Sequence, residues 1–164
     1  MATIGKGMVA GFVATLVLSA IILLIDRVTT PEFNPARVLT ITATGAATPL
    51  LGWIVHFFIG TVAWGIIFSF LDENLPGPHW ARGIIFGSGI WLLITIFMVP
   101  LVRIVPLIPT IVTPVGGNVF GGARNLFLSI EMLILHWVYG AVLGGVYGML
   151  LARQDHDDMK PARL

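Results

Sequence analysis

The chain has 164 residues, of which 57% are hydrophobic and only 10% are charged, and its mean hydropathy is +0.96. This composition excludes an ordinary soluble domain, in which about a quarter of the residues are charged. The net charge of +1, without a basic cluster, excludes nucleic acid as a partner, and the absence of cysteine excludes disulfides, thiolate catalysis and cysteine-ligated metal centres.

Four apolar stretches are long enough to cross the ~30 Å of hydrocarbon in a bilayer, and they predict four transmembrane helices. The first helix runs from about Ile4 to Ile25 and ends at the charged pair Asp26 and Arg27, which suits a membrane interface. This stretch lacks a small-residue cleavage pattern, so we expect it to be retained. The predicted spans cover about residues 4–25, 50–71, 81–102 and 123–152.

The connections between these helices are short. Charge, two prolines and a glycine in DENLPGPH, residues 72–79, end helix 2, so helices 2 and 3 should be antiparallel neighbours. The segment 29–49 contains several prolines yet is apolar enough for a short interfacial or re-entrant segment. The segment 103–122 is also rich in proline yet mostly apolar, so it should lie at the interface or against a partner, or else fold over the helix ends. The predicted fold is all-α: one integral membrane four-helix bundle, residues 1–152, followed by a short polar tail, residues 153–164.

The two halves of the chain resemble each other, which predicts a bundle built from two tandem two-helix repeats. Helices 1 and 3 open with a basic residue and G-x-x-x-G, and helices 2 and 4 contain H-x3-G-x4-G. The first pattern comprises Lys6, Gly7 and Gly11, then Arg82, Gly83 and Gly87; the second comprises His56, Gly60 and Gly65, then His136, Gly140 and Gly145. A repeat of this kind would place His56 and His136 at similar depth on symmetrically related helices.

Small residues recur at every fourth position of helices 1 and 4. Such rows allow the close backbone approach by which membrane helices pack, so we expect both faces to point into the bundle. The row in helix 1 is Gly7, Gly11, Thr15 and Ser19, and the row in helix 4 is His136, Gly140, Gly144 and Gly148.

Ionisable side chains inside a span are costly to bury and usually mark function. His56, His136 and Glu131 meet this description. Histidines on facing helices can supply both axial ligands of a haem, and Gly60 and Gly140, one turn away, would give the ring room. One hypothesis is therefore a b-type haem whose iron is bound by His56 and His136.

Other interpretations of these residues remain open. Each histidine could hydrogen-bond across a helix interface, to Thr61, Ser88, Thr95 or Tyr147. Together with Glu131 the histidines could line a proton or ion path, although Glu131 could instead reach the interface or pair with Arg103 or Arg124. A simple metal site has little support, because no ligand spacing such as H-E-x-x-H occurs in the sequence.

The K-G-x-x-x-G opening at Lys6, the two H-x3-G-x4-G motifs and the ending LHWVYGAVLGGVYGMLL resemble small bacterial inner-membrane proteins of the YagU-like type, whose function is unknown. The resemblance covers most of the chain. It implies four spans in a prokaryotic membrane, and it supplies no catalytic residues.

We expect no catalysis, because nucleophile elbows, P-loops and paired catalytic carboxylates are absent from the sequence. The leading functional interpretation is a non-catalytic accessory or structural subunit of a larger membrane complex, respiratory or redox in character, with membrane lipids and other membrane-protein subunits as partners. The first alternative is a bis-histidine membrane cytochrome. The second is a small transporter or channel.

Basic residues near the spans predict the orientation in the membrane. With both termini on one side, that side holds more lysine and arginine than the other. The first set is Lys6, Arg82, Arg153, Lys160 and Arg163, and the second is Arg27, Arg37, Arg103 and Arg124. This bias favours cytoplasmic termini in the bacterial inner membrane.

Overall fold

The computed structural model describes residues 2–28, 49–98 and 123–158. Apart from the turn after helix 2, these residues are helical, and no strand occurs among them. The predicted connecting segments 29–49 and 103–122 lie outside the described residues, except for Pro49.

Helices 1 and 2 differ in regularity. Helix 1 is an α-helix over Ala2–Val28. Helix 2 is α-helical over Pro49–Phe58, becomes a π-helix over Ile59–Trp64 and is α-helical again over Gly65–Leu71. A π-turn holds one more residue than an α-turn, so it rotates the segment before it about the helix axis relative to the segment after it.

Helices 3 and 4 complete the described fold. Helix 3 is α-helical over His79–Leu93 and π-helical over Ile94–Met98. Helix 4 is an α-helix over Ala123–Asp158, so it continues into the predicted polar tail.

A tight turn connects helices 2 and 3. It begins with a 3-10 helix, Asp72–Asn74, and contains Gly77 with a φ of 94°, a left-handed conformation that residues with a side chain rarely adopt. Pro78 is extended, and its carbonyl accepts hydrogen bonds from the backbone N–H groups of Ala81 and Arg82 at 2.9 and 3.0 Å. These bonds begin helix 3 directly after the reversal of the chain.

Each of the four helices contains a segment long and apolar enough to cross a membrane. The segments are Thr3–Ile25, Leu50–Asn74, His79–Ile96 and Ser129–Gln154. By length and composition the chain is therefore a multi-pass membrane protein with four apolar helices, which confirms this part of the sequence prediction.

Helix 1 packs against helices 2 and 4, and helix 4 also packs against helix 3. Helices 2 and 3 meet through aromatic rings: the ring of Phe86 lies 5.3 Å from that of Phe68 and 6.1 Å from that of Trp64, between centroids. Phe68 and Leu143 are fully buried and belong to the core cluster of the bundle.

Glycines set the distance between helices 1 and 2. Gly7 lies against the backbone of Gly65, and Gly11 lies against that of Gly60. A β-carbon at Gly11 would lie 2.7 Å from the Gly60 oxygen, a backbone atom that cannot move aside as the end of a flexible side chain can. The two helices therefore pack backbone to backbone, as small residues allow in membranes.

Helices 3 and 4 pack in the same way. Gly83 lies against the backbone of Gly140, and Gly87 lies against the backbone oxygen of His136. Gly144 meets the backbone of His79 at the start of helix 3. A β-carbon at any of these glycines would overlap backbone atoms of the facing helix.

Three parts of the chain meet at one end of the bundle. Lys6 Nζ donates a hydrogen bond to Gln154 Oε1, which places the start of helix 1 beside the end of helix 4. The turn after helix 2 lies at the same end, because a β-carbon on Gly148 would meet the His79 ring. We call this end, formed by Lys6, residues 72–79 and Gln154, the turn end.

Candidate functional site

The row of small residues in helix 1 points into the bundle, as predicted, and all four members are buried. Thr15 Oγ1 donates to the backbone oxygen of Gly11 at 2.7 Å, and Ser19 Oγ donates to that of Thr15 at 2.7 Å. Their four-residue spacing places each hydroxyl beside the carbonyl of the preceding turn. Helix 1 therefore brings hydroxyl groups into the core with their donors satisfied.

A hydrogen bond joins helix 4 to helix 2 across the core. Tyr139, which is 4% exposed, donates its hydroxyl to the backbone oxygen of Gly60 at 2.7 Å. The side chain of Thr15 fills the side of Gly60 that lacks a β-carbon. We call Tyr139, Gly60 and Thr15 the central bridge, because each lies near the middle of its candidate span.

The π-helix in helix 2 determines which of its residues face the core. Residues four apart on an α-helix are displaced by about 40° around the axis, so the four steps from His56 to Asp72 would accumulate roughly 160°. The extra residue in Ile59–Trp64 offsets much of this rotation. Gly60, Phe68 and Asp72 are consequently all buried, and the ring nitrogen Nε2 of His56 is buried with them.

His56 lies one turn from Gly60 in helix 2. Trp53 and Phe57 pack against its imidazole edge to face, with ring centroids 5.6 and 5.9 Å away. Within the described part of the chain, His56 Nε2 has no hydrogen-bond partner, and the buried Thr61 Oγ1 has none either. A buried polar atom without a hydrogen-bond partner lowers the stability of a fold by about 1–3 kcal/mol, and His56 Nε2 is such an atom.

His136 is oriented by its own helix. Its Nδ1 lies 2.6 Å from the backbone oxygen of Met132, four residues earlier. A carbonyl only accepts, so Nδ1 carries the proton and donates, and the lone pair of the neutral imidazole is on Nε2. This bond lies within helix 4, and a hydrogen bond from His136 across a helix interface stays a prediction. Ser88, one suggested partner, accepts a bond from Trp137 Nε1 at 2.9 Å.

The central bridge places the two histidines at the same level. His56 precedes Gly60 by four residues and His136 precedes Tyr139 by three, so each histidine lies one turn from the bridge and on the same helix face as the bridging residue. Helices 2 and 4 both run towards the turn end, so both displacements have the same direction. Both histidines therefore lie in the half of the bundle away from the turn end.

Gly60 and Gly140, which the haem hypothesis used as room for a ring, are covered by other helices. The side chain of Thr15 fills the open side of Gly60, and the backbone of Gly83 fills that of Gly140. Any group between the histidines must find its space elsewhere. Among residues 50–58 of helix 2, only Gly52 is buried, so the part of helix 2 before the π-helix is the more loosely packed.

Glu131 is half-buried near the start of the candidate span Ser129–Gln154. It precedes His136 by five residues, a rotation of about 140°, so the two side chains do not share a face. The side chains of Arg103 and Arg124 lie outside the described part, so their pairing with Glu131 stays a prediction. Among the described residues, no three His, Asp or Glu side chains group closely enough to hold a metal ion.

The turn end contains a buried carboxylate that was not predicted from the sequence. Asp72 is 1% exposed, and its Oδ2 lies 2.8 Å from His79 Nδ1 and 3.1 Å from Arg82 Nη1. Arg82 also donates through Nε to the Gly77 oxygen at 2.6 Å, and the ring of Tyr147 packs against that of His79. We call Asp72, His79 and Arg82 the turn cluster; it fastens the turn and helix 3 to helix 4.

An apolar layer separates the turn cluster from the central bridge. Leu143, Phe68 and Phe86 lie between them and are at most 8% exposed. The ring of Phe68 contacts those of Phe86 and Tyr147, with centroids 5.3 and 5.5 Å away. The buried polar groups described here therefore form two separate clusters, one at mid-span and one at the turn end.

The comparisons with known proteins identify a family. The model of a family of unknown function, DUF6789, matches residues 1–158. The chain belongs to DUF6789. No curated protein and no solved structure matches it. Membership of DUF6789 gives no indication of catalysis, and the YagU-like resemblance of this DUF6789 chain stays a prediction.

Proposed function

We propose that this DUF6789 chain is a non-catalytic accessory or structural subunit of a larger bacterial membrane complex, such as a respiratory or redox enzyme. The observation that carries the proposal is the contrast between the interior and the outer surface of the bundle. Tyr139, Thr15 and Asp72 are directed inward and paired there, whereas the outer faces of the helices are apolar. Such a bundle is suited to packing within a membrane rather than to chemistry on a water-soluble substrate.

Every helix contributes large apolar side chains to the outer surface. One strongly exposed example from each, in chain order, is Leu24 at 66%, Phe70 at 63%, Ile96 at 55% and Met149 at 63%. In a bilayer these faces contact either lipid tails or the apolar faces of other helices. Membrane lipids and another membrane-protein subunit are therefore the proposed partners.

The helix contacts support a bundle of two tandem two-helix repeats. Gly7 and Gly11 pack against the backbone of helix 2, and Gly83 and Gly87 pack against that of helix 4. Helix 1 thus packs on helix 2 as helix 3 packs on helix 4. Duplication of an ancestral pair of helices would produce this, because both copies would keep the same helix–helix packing.

We place the protein in the bacterial inner membrane with its turn end on the cytoplasmic side. Lys6 and Arg82 lie at the turn end, and Arg153 precedes Gln154 there. Basic residues beside short connections favour the cytoplasmic side. In this orientation the turn cluster lies at the cytoplasmic interface.

A photoreactive amino acid introduced singly at Leu24, Phe70, Ile96 or Met149 tests the subunit proposal in native membranes. We expect a protein adduct of defined mass from a subset of these helix faces and lipid adducts from the others. The same protein should copurify with the chain in a fixed ratio in mild detergent. Glu73, which is exposed at the turn end, is the control position for random collisions.

Two results together would contradict the proposal. They are lipid adducts alone at all four positions and a single chain without partners after purification in mild detergent.

A small transporter or channel has less support from the packing. A polar path through the bundle would have to cross the apolar layer of Leu143, Phe68 and Phe86, where a charge has a high free energy. Solute flux into liposomes, measured with the unchanged chain and with Glu131→Gln, tests this alternative. A flux that Glu131→Gln leaves unaffected would speak against it.

A further inference from the structure

We draw no further inference here: the strongest candidate, the side-chain cluster of Trp53, His56 and Phe57 in the first half of helix 2, where the buried His56 Nε2 has no hydrogen-bond partner among the described residues, carries no proposal because nothing in the structure shows what covers it.

Discussion

The Tyr139 hydroxyl donates to the Gly60 backbone oxygen at 2.7 Å, and this bond joins the two helices that carry the intramembrane histidines. Helix 2 makes its close backbone contacts with helix 1, so the bridge to helix 4 runs through a side chain rather than through glycine packing. The relative position of helices 2 and 4 at mid-span therefore depends on a hydrogen bond that a conservative substitution removes.

Tyr139→Phe should lower the free energy of unfolding by about 0.6 kcal/mol, the average for hydrogen bonds between membrane helices. The ring remains in place and only the bond to Gly60 is lost. Thermal unfolding in detergent, followed by circular dichroism, measures the change. Tyr147→Phe is the control, because the structure shows Tyr147 held by ring contacts with Phe68 and His79. Equal losses in both variants would contradict a special role for the Tyr139 hydroxyl.

Gly83→Ala should destabilise the bundle by about 1–3 kcal/mol, as other overpacked cores are destabilised. The new β-carbon would overlap the backbone oxygen of Gly140, so helices 3 and 4 must move apart. Gly89→Ala is the control on the same helix, because nothing lies within 4 Å of its β-carbon position. Alanine is the better helix former by about 1 kcal/mol, so the melting temperature of Gly89→Ala should be unchanged or higher. Similar losses for the two variants would count against the close crossing.

Asp72→Asn should lower the free energy of unfolding by about 1.5–3 kcal/mol, the usual range for a hydrogen bond to a charged group. The substitution leaves Arg82 without its buried counter-ion and weakens the attachment of the turn. Glu73→Gln removes the neighbouring carboxylate, which is exposed, and should change stability by at most about 0.5 kcal/mol. The melting temperatures of both variants are measured in the same detergent. An unchanged melting temperature for Asp72→Asn would show that the turn cluster does not stabilise the fold.

Single cysteines at Glu73 and His156 should react with a membrane-impermeant maleimide from the same side. The chain contains no cysteine, so Glu73→Cys and His156→Cys need no further background change. Both positions are exposed, and they belong to the turn and to the end of helix 4. We expect protection in intact cells and labelling in inverted membrane vesicles. Labelling of only one position in intact cells would contradict the placement of both residues at the same end of the bundle. Labelling of both positions in intact cells would keep that placement but put the turn end on the outer side of the membrane.

The number of apolar helices and their inward faces were predictable from local sequence. Apolar length decides whether a segment can span a bilayer, and four-residue spacing decides that Gly7, Gly11 and Thr15 share a face, whatever the rest of the fold does. The hydrogen bond that orients His136 was not predicted. Its Nδ1 donates to the Met132 backbone oxygen, and a backbone oxygen four residues earlier is available in any helix, so the sequence does not distinguish it from acceptors on other helices.

Two parts of the candidate site depended on information that no local pattern contains. Asp72 is the first residue after helix 2, a position typical of a solvated charge, and its burial results from the way Gly77 and Pro78 return the chain over it. Similarly, the π-helix Ile59–Trp64 carries no turn residues that distinguish it from an α-helix. It becomes apparent only when the inward positions on both sides of it are compared.

The direction in which His56 points also depends on the number of residues in the π-helix of helix 2. Deleting one codon within Ile59–Trp64 would restore regular α-helix and rotate the preceding segment by about 100° relative to Gly65–Leu71. The contact of Gly65 with Gly7 would remain, while His56 would leave its inward position with its sequence neighbours unchanged. Insertions and deletions, rather than substitutions, are therefore the changes to which the inward position of His56 is most sensitive.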